Sequence, residues 1–137
     1  MDEDRLDEDR LDEDRMDEDR LDEERVLAHC LELPGAWPDA PWGGGVVAKV
    51  GGPPGKVFAF PGGGAVALKL APEDGAELRA AYPSAVGDAP YLAKRHWVRI
   101  DLDGTVPDDE LRELLQTSYA LVVRGLPRAQ RPQTFSG

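Results

Sequence analysis

Lys94, Arg95, His96, Trp97 and Arg99 stand within six residues of one another in the stretch "PYLAKRHWVRIDLDG", Pro90 to Gly104. Cations beside an aromatic ring suit one kind of chemistry above others. The ring can stack on a nucleic-acid base while the cations meet phosphates. The plainer use of the same residues is a core-edge tryptophan covered by arginine stems. Enzymatic chemistry has less to work with. His29 and His96 are the only histidines and Cys30 the only thiol, so no zinc-type ligand set is legible. No serine or cysteine stands in a recognisable nucleophile motif. "GGPPGK" at 51–56 is one residue short of a phosphate loop, has Val57 where Ser or Thr would hold magnesium, and carries two prolines that remove backbone donors. It reads as a hairpin turn. No enzyme, cofactor or metal site is expected.

The cations must be positioned by a strand, since "HWVRIDL" (96–102) alternates. Side chains alternate across a strand. His96, Val98, Ile100 and Leu102 share one face, which should meet the core. Arg95, Trp97, Arg99 and Asp101 share the other. By the same rule Lys49 opposes Val46, Ala48 and Val50, and Lys69 opposes Val66, Leu68 and Leu70. If these strands are neighbours, one sheet face carries Lys49, Lys69, Lys94, Arg95, Trp97 and Arg99. These six are the candidate DNA-binding residues.

The rest of the chain supplies the scaffold. Leu21, Val26, Leu27, Cys30 and Leu31 recur at helical spacing until "LPG" stops the helix. Cys30 is expected to be a small buried apolar residue. "AWPDAPWGGG" reads as a loop. "VVAKV" (46–50), "KVFAF" (56–60) and "AVALKL" (65–70) are short strands with Gly-rich turns, hence antiparallel hairpins. "PEDGAELRAAY" (72–82) is a helix, with Pro72, Glu73 and Asp74 suited to its first turn. "DDELRELLQTSYALVVRGL" is the last helix. Leu111, Leu114, Leu115, Tyr119, Val122 and Leu126 give its apolar face. Helix, three strands, helix, one or two strands, helix: this order predicts an α+β domain with an antiparallel sheet packed on helices along one face.

Residues 1–25 are a five-residue repeat, MDEDR, LDEDR, LDEDR, MDEDR, LDEER, holding 15 of the 27 acids and 5 of the 16 bases, net −10. The remainder, with 12 acids and 11 bases, is net −1. A five-residue period scatters Met1, Leu6, Leu11, Met16 and Leu21 around a helix axis, so the repeat builds no core face. Three parts are predicted: a disordered or solvated acidic extension (1–20), a domain (21–127) and a flexible tail (128–137). One cysteine excludes an intrachain disulfide, and no apolar run is long enough to span a bilayer. A cytoplasmic monomer is the expectation.

The segments "CLELPGA", "PW" at 41–42, "KVGG…GKVFAF" (49–60), "LKLAPEDGAEL" (68–78), "PYLAKRHWVRIDLDG" (90–104) and "PDDELRELLQTSYALVVRGLP" (107–127) resemble, in that order, the MmcQ/YjbR family. The resemblance implies a frataxin-like (CyaY-like) fold with terminal helices against an antiparallel sheet. It also implies a DNA-binding function, by analogy with double-wing DNA-binding domains. It supplies no catalytic residues. The DEDR repeat is not a family feature, and turns lacking Lys and Arg except Lys56 are poor wings. Two other functions compete with binding of double-stranded DNA. One is iron binding through the acidic N-terminal helix, as in frataxin-type folds. The other is a protein-interaction or regulatory module.

Overall fold

The computed structural model describes residues 21–40, 45–89 and 96–132. The acidic extension, Pro41, Trp42, Lys94 and Arg95 lie outside the described residues. Among the described residues, three helices and six strands follow in the order α1 (Glu23–Leu31), β1 (Ala36–Asp39), β2 (Val47–Val50), β3 (Lys56–Gly62), β4 (Ala65–Lys69), α2 (Pro72–Ala81), β5 (Val86–Asp88), β6 (Trp97–Asp101) and α3 (Asp108–Arg124). All strand pairs are antiparallel, in the sheet order β1-β2-β3-β4-β6-β5.

The helices begin where charge and caps allow. Asp22 caps α1 by accepting from the Arg25 amide, and Glu23 and Glu24 occupy its positive end. Pro72 starts α2 as expected, and Asp108, Asp109 and Glu110 fill the first turn of α3. The helices pack on one side of the sheet. Val26 and Cys30 of α1 and Leu115, Tyr119 and Val123 of α3 share a core with Val50, Phe58, Val66, Leu68, Val98 and Ile100. Phe58 is fully buried and meets Tyr119 edge to face, with ring centroids 5.3 Å apart. Burying a side chain of that size stabilises the fold by about 1.5–3 kcal/mol.

Three expectations need correction. "AWPDAPWGGG" is not all loop, because Ala36–Asp39 forms the edge strand β1. A proline is compatible with an edge, where one side of the strand needs no partner. Trp37 fixes this edge by donating its indole N–H to the Gly51 carbonyl at 2.8 Å. Second, His96 and Val46 are not core residues. His96 is exposed in a left-handed conformation (φ 67) just before β6 begins, and Val46 is 39 % exposed just before β2. Alternation holds only inside the strands. Third, residues 128–132 do not trail away. Arg128–Gln130 makes a 3-10 turn, Arg131 donates to the carbonyls of Leu126 and Arg124, and Pro132 lies against Gly35.

Candidate ligand-binding cleft

The β3–β4 ladder runs from Gly62↔Ala65 to Ala59↔Leu68 and stops there. One step beyond, a helix supplies the next rung. The Lys69 amide donates to Ser118 Oγ at 2.9 Å, and the Ser118 hydroxyl donates to the Phe58 carbonyl at 2.7 Å. Ser118 is completely buried, so both bonds matter: an orphaned buried backbone group costs about 1–3 kcal/mol. With the hydroxyl bridging them, β3 and β4 need not pair directly at this level. Further along α3, Leu121, Val122 and Gly125 line a cleft with Lys56, Val57 and Phe60 of β3, Lys69 of β4 and Trp97 of β6. Its volume is about 340 Å³.

A register shift sets which side chains reach it. Ala48 pairs with Ala59 but Lys49 pairs with Val57, so Phe58 is an extra residue in β3. Such a bulge resets the alternation. Phe58 and Ala59 are both buried, while Phe60 pairs with Ala67 and is partly exposed. Trp97 meets Phe60 edge to face, with ring centroids 5.1 Å apart.

The expected basic face is therefore only partly assembled. Trp97 is on the predicted side of β6 but is 7 % exposed, so it is not an open stacking platform. It buttresses Phe60, which is the more accessible ring. Lys69 lies in the cleft and has no carboxylate partner among the described residues. Arg99 pairs with Asp101 at 3.2 Å and rims a neighbouring hollow of about 410 Å³ on the other side of Phe60. Lys49 is spoken for at the β1 edge. It pairs with Asp39 at 2.6 Å, donates to the Pro54 carbonyl and lies 5.4 Å from the Trp37 ring centre. The hydrogen bond from Lys49 holds the Asp39 carboxyl below its usual range. The places of Lys94 and Arg95 lie outside the described residues.

Sequence reasoning missed Lys56, Phe60, Ser118 and Leu121. Regular alternation would have sent Phe60 inward with Phe58, and nothing in "KVFAF" announces the bulge. Ser118 did leave a signal. It is a hydroxyl on an otherwise apolar helix stripe, between Leu115 and Val122.

A second cleft of about 340 Å³ lies between α2 and α3. Asp74, Glu77, Glu110 and Glu113 stand around Leu70, Leu78 and Leu114 there. The Tyr82 hydroxyl donates to Glu110, and this raises the tyrosine's pKa. Among the described residues, no three His, Cys, Asp or Glu side chains gather closely enough to hold a metal ion. The iron-binding alternative rested on the acidic repeat, and residues 1–20 lie outside the described residues. Cys30 is buried as expected, and burial pushes its thiol up to about 12. No helix among the described residues is long and apolar enough to cross a membrane.

This architecture has known relatives. A crystal structure of the Deinococcus radiodurans protein DR2400, a DUF419 domain, superposes with a TM-score of 0.72 at 34 % identity, covering 83 % of this chain and 91 % of that one. The uncharacterised protein YjbR of Escherichia coli K12 is 40 % identical over 67 residues, as is its counterpart in strain O157:H7. That match takes in 49 % of this chain and 56 % of theirs, so the chain spans little more than half the length of the curated relatives. The sequence model of the YjbR family matches residues 31–121, from the last residue of α1 to Leu121 in α3. The chain belongs to the YjbR family.

Proposed function

We propose that the protein is a non-enzymatic, monomeric nucleic-acid-binding module, with DNA its foremost partner, acting through the sheet face that the helices leave open. The observation that carries this reading is the partly exposed Phe60 ring, set between the lysine-lined cleft and Arg99. A ring with cations on both sides can stack on an unpaired base while the cations meet neighbouring phosphates. The frataxin-like arrangement is part of the same proposal, supported by α1 and α3 packing together on one face of an antiparallel sheet. The buried, protonated Cys30 supplies no nucleophile near neutral pH.

The contact surface differs from the one expected on sequence. Lys56, Phe60, Lys69 and Arg99 carry it, and Lys49 and the Trp97 ring face do not. Anisotropy of labelled single-stranded and duplex oligonucleotides across a salt series tests the reading. Affinity should fall steeply with salt. Combined Lys56→Glu and Lys69→Glu should weaken binding about 10-fold or more at low salt, the scale expected for losing charged contacts, while Lys49→Glu changes little. Affinity that ignores both salt and the double reversal would refute it.

A further inference from the structure

Every side-chain polar group lining the β3–β4 cleft is a donor. Lys56 and Lys69 bring ammonium groups and Trp97 an indole N–H. Neither lysine has a carboxylate partner among the described residues. Trp97 is more than nine-tenths buried, while Trp37, at the β1 edge, spends its own N–H on the Gly51 carbonyl at 2.8 Å. The remaining lining is apolar: Val57, Phe60, Leu121 and Val122.

The negative carbonyl end of α3 also faces this region, and it is already neutralised. Lys56 reaches the Gly125 carbonyl at 3.5 Å, and Arg131 donates to the carbonyls of Arg124 and Leu126. No carboxylate lines the cleft. Donors over an apolar floor call for a ligand with acceptor oxygens and an apolar body. The volume, about 340 Å³, falls at the small end of ligand pockets, which run from roughly 300 to 1,000 Å³.

We propose that this cleft binds a small organic anion. Its flat body lies against Phe60 and Leu121, and its carboxylate or phosphate oxygens accept from Lys69, Lys56 and the Trp97 indole. Charge-assisted bonds of this kind are the stronger ones, and two ammonium groups match one compact anionic head. This site goes beyond the nucleic-acid surface, because a free small molecule needs no exposed phosphate track. The two readings can fail separately.

The test uses the full chain with its indole nitrogens labelled with nitrogen-15, and the Trp97 resonance assigned by its loss in Trp97→Phe. Four probes are titrated: 2-naphthoate and its neutral counterpart 2-naphthalenemethanol, and adenosine monophosphate and adenosine. At least one anion should shift the Trp97 indole resonance saturably and bind about 10-fold more tightly than its neutral partner. Which anion does so tells carboxylate from phosphate recognition. Lys69→Gln should weaken that binding several-fold with the spectrum otherwise preserved. Leu121→Trp, which fills the cleft, should abolish it. The proposal is overturned if neither anion saturates the Trp97 resonance, if the neutral probes bind as well, or if Lys69→Gln binds unchanged. Oligonucleotide binding that survives such a result would leave the proposed function standing without this site.

Discussion

Among the described residues, two clefts of about 340 Å³ face different elements, one between two helices and one between two parted strands. The helical one gathers Asp74, Glu77, Glu110 and Glu113, and the strand one gathers Lys56 and Lys69. Both belong to a body whose charges nearly cancel, with 12 acids and 11 bases in residues 26–137. Near-neutrality here comes from segregation of charge, not from its absence. Ion pairing then decides which charges remain available. Lys49 and Arg99 are each matched to an aspartate, while neither cleft lysine has a carboxylate partner among the described residues.

The clefts also differ in what maintains them, and the largest test of the comparison lies there. Only the strand cleft depends on a side chain acting as a backbone rung. Ser118→Ala removes the acceptor of the Lys69 amide and the donor to the Phe58 carbonyl. With two buried groups orphaned, the loss should reach about 2–5 kcal/mol by urea denaturation. Gln116→Ala, two residues away on an exposed position, should cost less than about 0.5 kcal/mol. Equal costs would mean the rung is ornamental.

A smaller effect should come from the acidic repeat. Residues 1–20 contain 12 acids and 4 arginines, net −8. A chain beginning at Leu21 should bind oligonucleotides a few-fold more tightly at low salt, with the gap closing as ionic strength rises. Weaker binding by the shortened chain would give the repeat the opposite role.

The smallest effect sharpens the helical cleft. Glu110 accepts from the Tyr82 hydroxyl and raises its pKa above the usual 10.0. The stability that this pairing contributes is present below pH 10 and is lost as pH rises through the raised folded value. Burial raises the pKa of Tyr119 as well, so tyrosinate absorbance should show both titrating late, and Glu110→Gln should bring Tyr82 alone back toward the ordinary value. No change between the two chains would detach Tyr82 from the acidic cleft.

The legible and illegible parts of this structure divide along a physical line. Val98 and Ile100 alternate with Trp97, Arg99 and Asp101, and the helices carry charges suited to their ends, so the α+β class could be read directly. Cleft residues could be read only where alternation was unbroken, which is why Lys69 and Trp97 were found. Phe60 was hidden by a one-residue bulge in the β2–β3 hairpin, which nothing in "KVFAF" announces. Strand β1 was hidden by Pro38, which local rules assign to a loop and a sheet edge tolerates. The burial of Trp97 was not readable either, because alternation names a face without saying what lies over it.

The helix-supplied rung has a kinetic consequence. The Lys69 amide hydrogen is held by a hydroxyl that belongs to α3, not to a neighbouring strand. Its exchange with solvent deuterium should therefore wait for α3 to lift from the sheet, so that one strand amide reports the undocking of a whole helix.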